Sequence, residues 1–199
     1  VKLKADGVPN VDSIQQVSFF TNDFDTTTEG IDFVANYSTS LLDGDTTFGL
    51  AYNWNETTVD DYTEITGDGK VSRLENDLPN HRATFTWSQS WDNVSMFTRV
   101  NYYGEYQGVH VDWIGSPAEP GTEIVPDSEV TVDVEVSYHV MEDFKVSVGA
   151  QNIFDEYPSE LDFEQQTGAA NNSWGGKYYE TSPFGFNGGF YYVKATYNF

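Results

Sequence analysis

Apolar and polar residues alternate with a period of two along much of the chain. In the segment 130–140, the odd-numbered positions are polar: Thr131, Asp133, Glu135, Ser137 and His139. The even-numbered positions are mainly apolar: Val130, Val132, Val134, Val136, Tyr138 and Val140. Successive side chains of a β-strand point to opposite faces, so this alternation predicts a strand with one apolar and one polar face.

The same alternation recurs in seven other segments. It is clear in 31–41, 48–54, 82–88, 94–102 and 189–199, and weaker in 13–21 and 144–154. Phe97 and Thr98 break it within their segment. We therefore predict eight strands and no helix of consequence, because the amphipathic stretch 159–166 is too short to form a stable helix alone.

The connections between the predicted strands distinguish a soluble β-sandwich from a membrane barrel, which alternation alone does not. Short turns at 42–45, 90–93 and 141–143 alternate with the connections 22–29, 55–79, 105–128 and 155–188, of which all but the first are long. Tight periplasmic turns and long extracellular loops are typical of outer-membrane barrels. If Phe199 lies on the periplasmic side, all three short turns lie there too. The sequence thus predicts an all-β fold, an antiparallel transmembrane β-barrel.

Composition agrees with this fold and excludes other classes. The net charge is -23, from 9 Lys+Arg against 32 Asp+Glu, so the basic surface that nucleic acid requires is missing. There is no run of about 18 apolar residues, but a barrel strand needs only about 9–11 residues. Without cysteine there is no disulfide or thiolate site. Aromatic residues near strand ends predict interfacial girdles: Trp54, Trp87, Trp91, Tyr102, Tyr103, Tyr138, Tyr191 and Tyr197.

Two C-terminal segments resemble the end of TonB-dependent receptors. Residues 149–158 read GAQNIFDEYP and match the pattern G-x-x-N-[IL]-F-D-x-x-P. Residues 183–192 read PFGFNGGFYY and match P-[FY]-G-x-x-G-R-x-[FY]-[YV], except that Gly189 stands where arginine is usual. Weaker matches, TEGID at 28–32 and LPNHR at 78–82, resemble two strand entries of the same family.

The resemblance, which extends over about residues 13–199, implies a location and a set of partners. Members have a 22-stranded barrel with a plugged lumen. Residues 1–199 would then be the C-terminal part of that barrel, about eight strands, with the plug domain absent. It further implies the bacterial outer membrane, contact with its lipid, a TonB complex that acts through the missing N-terminal part, and a barrel-assembly machinery that reads Tyr197 and Phe199.

The activity that the resemblance implies is active import of a scarce large solute: a ferric siderophore, haem, cobalamin or an oligosaccharide. Such transport changes no covalent bond, so we expect no catalytic residue and no cofactor. Consistently, His81, His110 and His139 stand in no catalytic or metal-binding frame. Asp60, Asp61, Glu64 and Asp68 do not follow the spacing of an EF-hand, and we expect a solvated acidic loop rather than a metal site.

Candidate ligand contacts lie in the long loops, because loops on a rigid scaffold commonly carry binding residues. Their rings could stack on a sugar or an aromatic chelator: Tyr106, His110, Trp113, Trp174, Tyr178 and Tyr179. Two other functions remain open, a complete eight-stranded barrel with a structural or adhesive role and a soluble sugar-binding β-sandwich. The membrane prediction fails if Val132, Val134 and Val136 point into a dry protein interior.

Overall fold

The computed structural model describes residues 7, 22–62, 67–108, 124–167 and 176–199. These residues form one antiparallel sheet of seven strands, in which each strand pairs with the next along the chain. The strands are β1 (Phe24–Leu41), β2 (Gly44–Tyr62), β3 (His81–Ser90), β4 (Val94–Tyr103), β5 (Glu129–Met141), β6 (Phe144–Gln151) and β7 (Phe190–Tyr197). The all-β antiparallel prediction is confirmed. The predicted strand 13–21 lies outside the described residues.

The three short turns lie at one end of the sheet, as predicted. Leu42 and Asp43 both have positive φ, 53° and 57°, which is the conformation of a two-residue turn that suits the twist of a hairpin. Asn198 donates its backbone N–H to the Asp143 carbonyl at 2.9 Å. The C-terminal strand therefore ends beside the third short turn, and the long connections lie at the opposite end.

The register staggers neighbouring hairpins along the strand direction. Asp45 pairs with Ser90, next to the first two turns, whereas Ser95 pairs with Ser137, several residues before the third turn. The backbone of His139 accordingly bonds to Asn93. Such stagger accompanies strand tilt in a barrel wall. Within the described residues the sheet is open, with β1 and β7 at its edges.

The first hairpin is longer than predicted. β1 and β2 contain 18 and 19 residues and pair as far as Phe24 and Tyr62. Residues 24–29 of the predicted connection 22–29 and residues 55–62 of the predicted connection 55–79 are thus strand. About 9–11 residues suffice to cross a bilayer, so the far end of this hairpin extends beyond it.

In the described part of the long connections there are two helices: α1 (Asp68–Asn76) and α2 (Phe163–Thr167). The prediction that no helix of consequence forms is therefore wrong for α1. Glu75 of α1 accepts the backbone N–H of Val59 at 2.8 Å, so contact with β2 supports a helix that its own sequence signals only weakly. Neither helix is long and apolar enough to cross a membrane.

One face of the sheet carries a network of polar side chains. The carboxylate of Asp133 accepts hydrogen bonds from Arg99, and the hydroxyls of Ser137 and Ser147 lie 2.7 Å apart. Glu135 accepts from the Tyr192 hydroxyl at 2.8 Å and pairs with Lys194 at 3.3 Å. We call this the luminal face. It includes a few exposed apolar side chains: Val34, Phe97 and Phe190.

The opposite face is apolar and uncovered, with Val193 as much as 73% exposed. Its exposed side chains cross all seven strands: Ile31, Phe33, Tyr37, Leu50, Phe85, Tyr102, Val130, Val136, Tyr138, Val148, Tyr191 and Tyr197. Val132 and Val134 are half-buried and do not point into a dry core. Soluble proteins rarely expose so large an apolar patch. A lipid-facing barrel wall explains it, and a soluble β-sandwich does not.

Aromatic side chains lie at both ends of this outer face. Tyr102 and Tyr191 lie toward the long connections, while Tyr138 and Tyr197 lie toward the short turns. Tyr103 is an exception to the predicted girdles. It lies on the luminal face and stacks on Phe184, with ring centroids 5.3 Å apart.

Replacing outer-face Phe85 by arginine in the full-length protein should destabilise the barrel. A basic residue near mid-depth of the lipid face costs about 2–4 kcal/mol. The control is Ser88→Arg, three residues along the same strand on the luminal face. Phe85→Ala measures the loss of the ring alone. Urea unfolding in lipid vesicles gives the free energies, and an equal cost for the two arginines would contradict the assignment of faces.

Candidate functional site

The long connections fold together at the end of the sheet opposite the short turns. The backbone N–H of Gln107 bonds to the Asn76 carbonyl at 2.9 Å, which joins the β4–β5 connection to α1. Gly108 and Ile124 bond to each other within the β4–β5 connection. We call the described residues of the connections 67–80, 104–108, 124–128, 152–167 and 176–189 the loop layer.

A small apolar cluster holds the loop layer together. Tyr106 is 6% exposed and Tyr179 is 2% exposed, and both pack with Ile124 and Leu161. Burial of such side chains stabilises the layer through the hydrophobic effect. This is the cluster of buried apolar residues within the described part of the chain, and it lies in the loops rather than on the exposed apolar face of the sheet.

Asp77 is the polar centre of the loop layer. Its carboxylate accepts hydrogen bonds from the Tyr179 hydroxyl at 2.9 Å and the Thr181 hydroxyl at 3.2 Å. Burial raises the pKa of Asp77, and the two hydroxyls and Arg73 oppose that rise. Arg73 also pairs with Glu180 at 2.9 Å. The cluster therefore ties α1 to the segment that precedes β7.

Burial also keeps the two core tyrosines neutral. It raises the pKa of Tyr106 to about 12, and the pKa of Tyr179 rises because of burial and the nearby Asp77 carboxylate. The Tyr106 hydroxyl donates to the Thr181 carbonyl at 2.8 Å. Both phenols thus act as hydrogen-bond donors inside the layer at neutral pH.

The segment 184–190, which we call the strap, crosses the luminal face. At one end Phe184 stacks on Tyr103 of β4, and at the other Phe190 pairs with Gln151 of β6. A cavity of about 450 Å³ lies between the strap and the sheet. Its lining includes charged, amide and aromatic side chains: Arg99, Asn101, Asp133, Gln151, Phe184 and Phe190.

The charges in this cavity compensate each other. Arg99 donates from Nε and Nη2 to one oxygen of Asp133, at 2.8 and 2.7 Å. The other Asp133 oxygen accepts the backbone N–H of Asn152 at 2.9 Å. The Asp133 carboxylate is thus held on both oxygens, and the cavity offers a neutral ion pair with amides and rings around it.

The family described as TonB dependent receptor-like, beta-barrel matches residues 4–153, which is 150 of the 199 residues. The chain belongs to this receptor family. A comparison with the curated proteins found no match.

Among solved structures, the chain is similar to the ferripyoverdine receptor of the outer membrane of Pseudomonas aeruginosa bound to ferripyoverdine. The identity is 15% and the TM-score is 0.47. The alignment covers 68% of this chain and 16% of that receptor. The chain therefore spans about a sixth of the length of that protein.

The two motifs that resemble the receptor family contact each other. The Asn152 side chain bonds to both the N–H and the carbonyl of Glu156, at 3.0 and 2.8 Å, and closes a tight turn. Within it Asn152 and Asp155 have positive φ, 49° and 60°. Asp155 accepts the Gly189 N–H at 2.7 Å. This turn fixes where the strap of the receptor joins β7.

Gly189 replaces the arginine that is usual in the receptor motif, and its surroundings are tight. A Cβ at Gly189 would lie 2.9 Å from the Asn152 carbonyl oxygen. The neighbouring Gly188 has φ +66°, and a Cβ added there would clash with the side chains of Asp155 and Tyr157. In this receptor chain the turn and the strap thus pack more closely than a side chain at Gly189 permits without a shift.

The structure separates the predicted ligand contacts into three groups. Tyr106 and Tyr179 lie in the core of the loop layer, where they bond to protein. Tyr178 is half-buried and stacks between Tyr157 and Phe186, at 6.0 and 6.1 Å. His110, Trp113 and Trp174 lie outside the described residues. Ligand binding by these six residues stays a prediction.

Sequence reasoning did not find the cavity of this receptor chain. The alternation places polar residues such as Asp133 on one face of their strand, but nothing in it places the strap across that face. The glycines of the motif, Gly185 and Gly188 with positive φ, were the available signal of an unusual backbone path. Within the described residues no group of His, Asp or Glu is arranged to hold a metal.

We expect Gly108→Ala to loosen the loop layer of the full-length receptor. The added Cβ would lie 2.2 Å from the Tyr179 ring, and overpacking of this kind costs about 1–3 kcal/mol. Limited proteolysis should show faster cleavage in the loops with the barrel intact. In a Tyr179→Leu variant, which lacks the ring, Gly108→Ala should increase the cleavage rate only slightly. An increase as large as in the wild type would contradict the steric explanation.

Alkaline pH should weaken the loop layer through Tyr106. Its pKa is raised from 10.0 to about 12, so its contribution is complete below pH 10 and is lost as the pH rises through 12. The difference in tyrosinate absorbance between the wild type and Tyr106→Phe measures this ionisation. We expect a midpoint near 12, and a midpoint near 10 would contradict the burial of this phenol.

Proposed function

We propose that the protein containing this chain is an outer-membrane receptor that imports a scarce large solute with energy from the TonB complex. The observation that carries the proposal is the match of residues 4–153 to the receptor barrel family. The apolar outer face and the hydrogen-bonded luminal face support it, because a membrane-spanning wall around a polar lumen requires both.

The proposed location is the bacterial outer membrane, with lipid against the outer face. The last described strand, β7, ends at Tyr197, and the ring of Tyr197 lies 5.1 Å from the ring of Phe199, between centroids. We assign these rings to recognition by the barrel-assembly machinery. The TonB complex acts through the plug part of the receptor, which the family carries on the N-terminal side of the barrel.

The residues of this chain bind and guide the solute and break no bond in it. The loop layer lies at the end where a solute enters from outside. Below it, the luminal face offers paired charges such as Arg99–Asp133 and Lys194–Glu135, which keep the wall polar. The proposed solutes are a ferric siderophore, haem, cobalamin or an oligosaccharide, and no catalytic residue is required.

Uptake in living cells tests this function. A strain lacking the full-length gene should lose uptake of at least one of four probe classes: ferric citrate, haemin, cyanocobalamin and neutral hexasaccharides. Reintroduction of the gene should restore uptake, and deletion of TonB should abolish it again. Uptake that is independent of TonB, or an unchanged uptake of every probe in the deletion strain, would contradict the proposal.

A further inference from the structure

We propose that the cavity under the strap binds a ring of an uncharged, hydroxyl-rich solute, that is, one unit of a saccharide. This inference rests on the proposed import function and names its solute class. The cavity volume of about 450 Å³ lies within the range of about 300–1,000 Å³ that is common for small-molecule sites.

The charge of the cavity argues against an anionic solute. Arg99 is the basic residue among the lining side chains, and its bonds to Asp133 neutralise it. Recognition of carboxylates or phosphates commonly uses a cation that is available for a bidentate contact. With a chain net charge of -23 as well, an anionic ferric chelate would meet repulsion here.

The remaining polar groups suit hydroxyls. Gln151 and Asn187 are exposed amides at the cavity, and each amide both donates and accepts hydrogen bonds. Asn101 is oriented by Thr84 and Thr131, each 3.2 Å away. A sugar hydroxyl also donates and accepts, so a set of neutral amides satisfies it without the burial of a net charge.

The aromatic side chains supply a surface for the flat face of a sugar ring. Phe190 is 60% exposed although it lies on the luminal face, where it has no contact with lipid. It stacks on Tyr192 at 6.1 Å, which fixes the orientation of its ring. Phe184 is held on Tyr103 at the other end of the strap. Small-molecule sites are commonly lined by aromatic and apolar side chains together with a few polar groups, and the exposed rings and amides of this cavity fit that description.

A haem is less well suited to this cavity. Haem iron is held by His, Cys, Met or Tyr side chains. Among the cavity residues the one such group is Tyr103, whose ring is already stacked on Phe184.

The strap is fixed at both of its ends, so the cavity is formed before a solute arrives. Gly189 bonds to Asp155, and the Ser182 hydroxyl accepts the Gly185 N–H at 3.2 Å. Upstream of Ser182, the Thr181 carbonyl accepts the Tyr106 hydroxyl. A preformed site loses less conformational entropy on binding.

Binding to the purified full-length receptor tests the proposal. The probes are an array of neutral and acidic oligosaccharides, followed by calorimetry with the neutral oligosaccharide that binds best. We expect Phe190→Ala and Gln151→Leu each to weaken binding about tenfold or more, as for contacts worth at least about 1.4 kcal/mol.

The matched controls are Phe97→Ala and Asn53→Leu, which alter a phenylalanine and a side-chain amide on the luminal face outside the cavity. They should leave the affinity unchanged. The proposal is overturned if no neutral oligosaccharide binds, if ferric citrate displaces the sugar, or if the controls weaken binding as much as the cavity variants. Equal affinity in all four variants would indicate that another part of the receptor, such as the plug, covers the cavity, and would also overturn it.

Uptake of the same oligosaccharide separates this proposal from the import function. If the cavity variants lose binding but entry into cells does not need TonB, the import proposal fails and the saccharide site stands. If uptake needs TonB and Phe190→Ala changes neither binding nor uptake, the import function stands and the site is refuted.

Discussion

The exposure of one apolar face across all seven strands of the described sheet is the constraint on which the rest of this structure depends. Inside a bilayer no water is present to satisfy backbone groups, so each strand must pair with its neighbours. The side chains then divide by face. Rings and aliphatic groups such as Tyr37 and Val193 face outward, while Asp133 and Glu135 are bonded on the luminal side. The usual arrangement of a soluble protein, with apolar residues inside, is thereby inverted across the sheet.

The loop layer follows the opposite rule, because its apolar side chains are buried. Tyr106 and Tyr179 are buried there with Ile124 and Leu161, and Asp77 is held by hydroxyls and Arg73. The chain therefore contains two environments with opposite preferences. The turn closed by Asn152 lies at their boundary, since it bonds to Asp133 of the luminal face and, through Asp155, to Gly189 in the strap.

The strap brings the two environments into one candidate site. It descends from the loop layer, where Tyr106 bonds to Thr181, and crosses the luminal face between Tyr103 and Gln151. The cavity beneath it combines an ion pair that is already compensated with amides and exposed rings. For a transporter, weak polar contacts on a fixed surface are useful, because the solute must also leave. The proposed saccharide site is consistent with that requirement.

For the described residues, the sequence by itself determined the seven strands, most of their faces and the positions of the three short turns, because a period of two and turn chemistry are local properties of the chain. The receptor family followed from the two C-terminal motifs. The sequence did not determine α1, the full length of β1 and β2, the luminal position of Tyr103 or the path of the strap. Those depend on contacts between distant residues, such as Tyr106 with Thr181, 75 positions apart, and Tyr179 with Asp77, 102 positions apart. Only the tertiary structure decided them, because no local pattern in the sequence shows which residues so far apart along the chain lie next to each other.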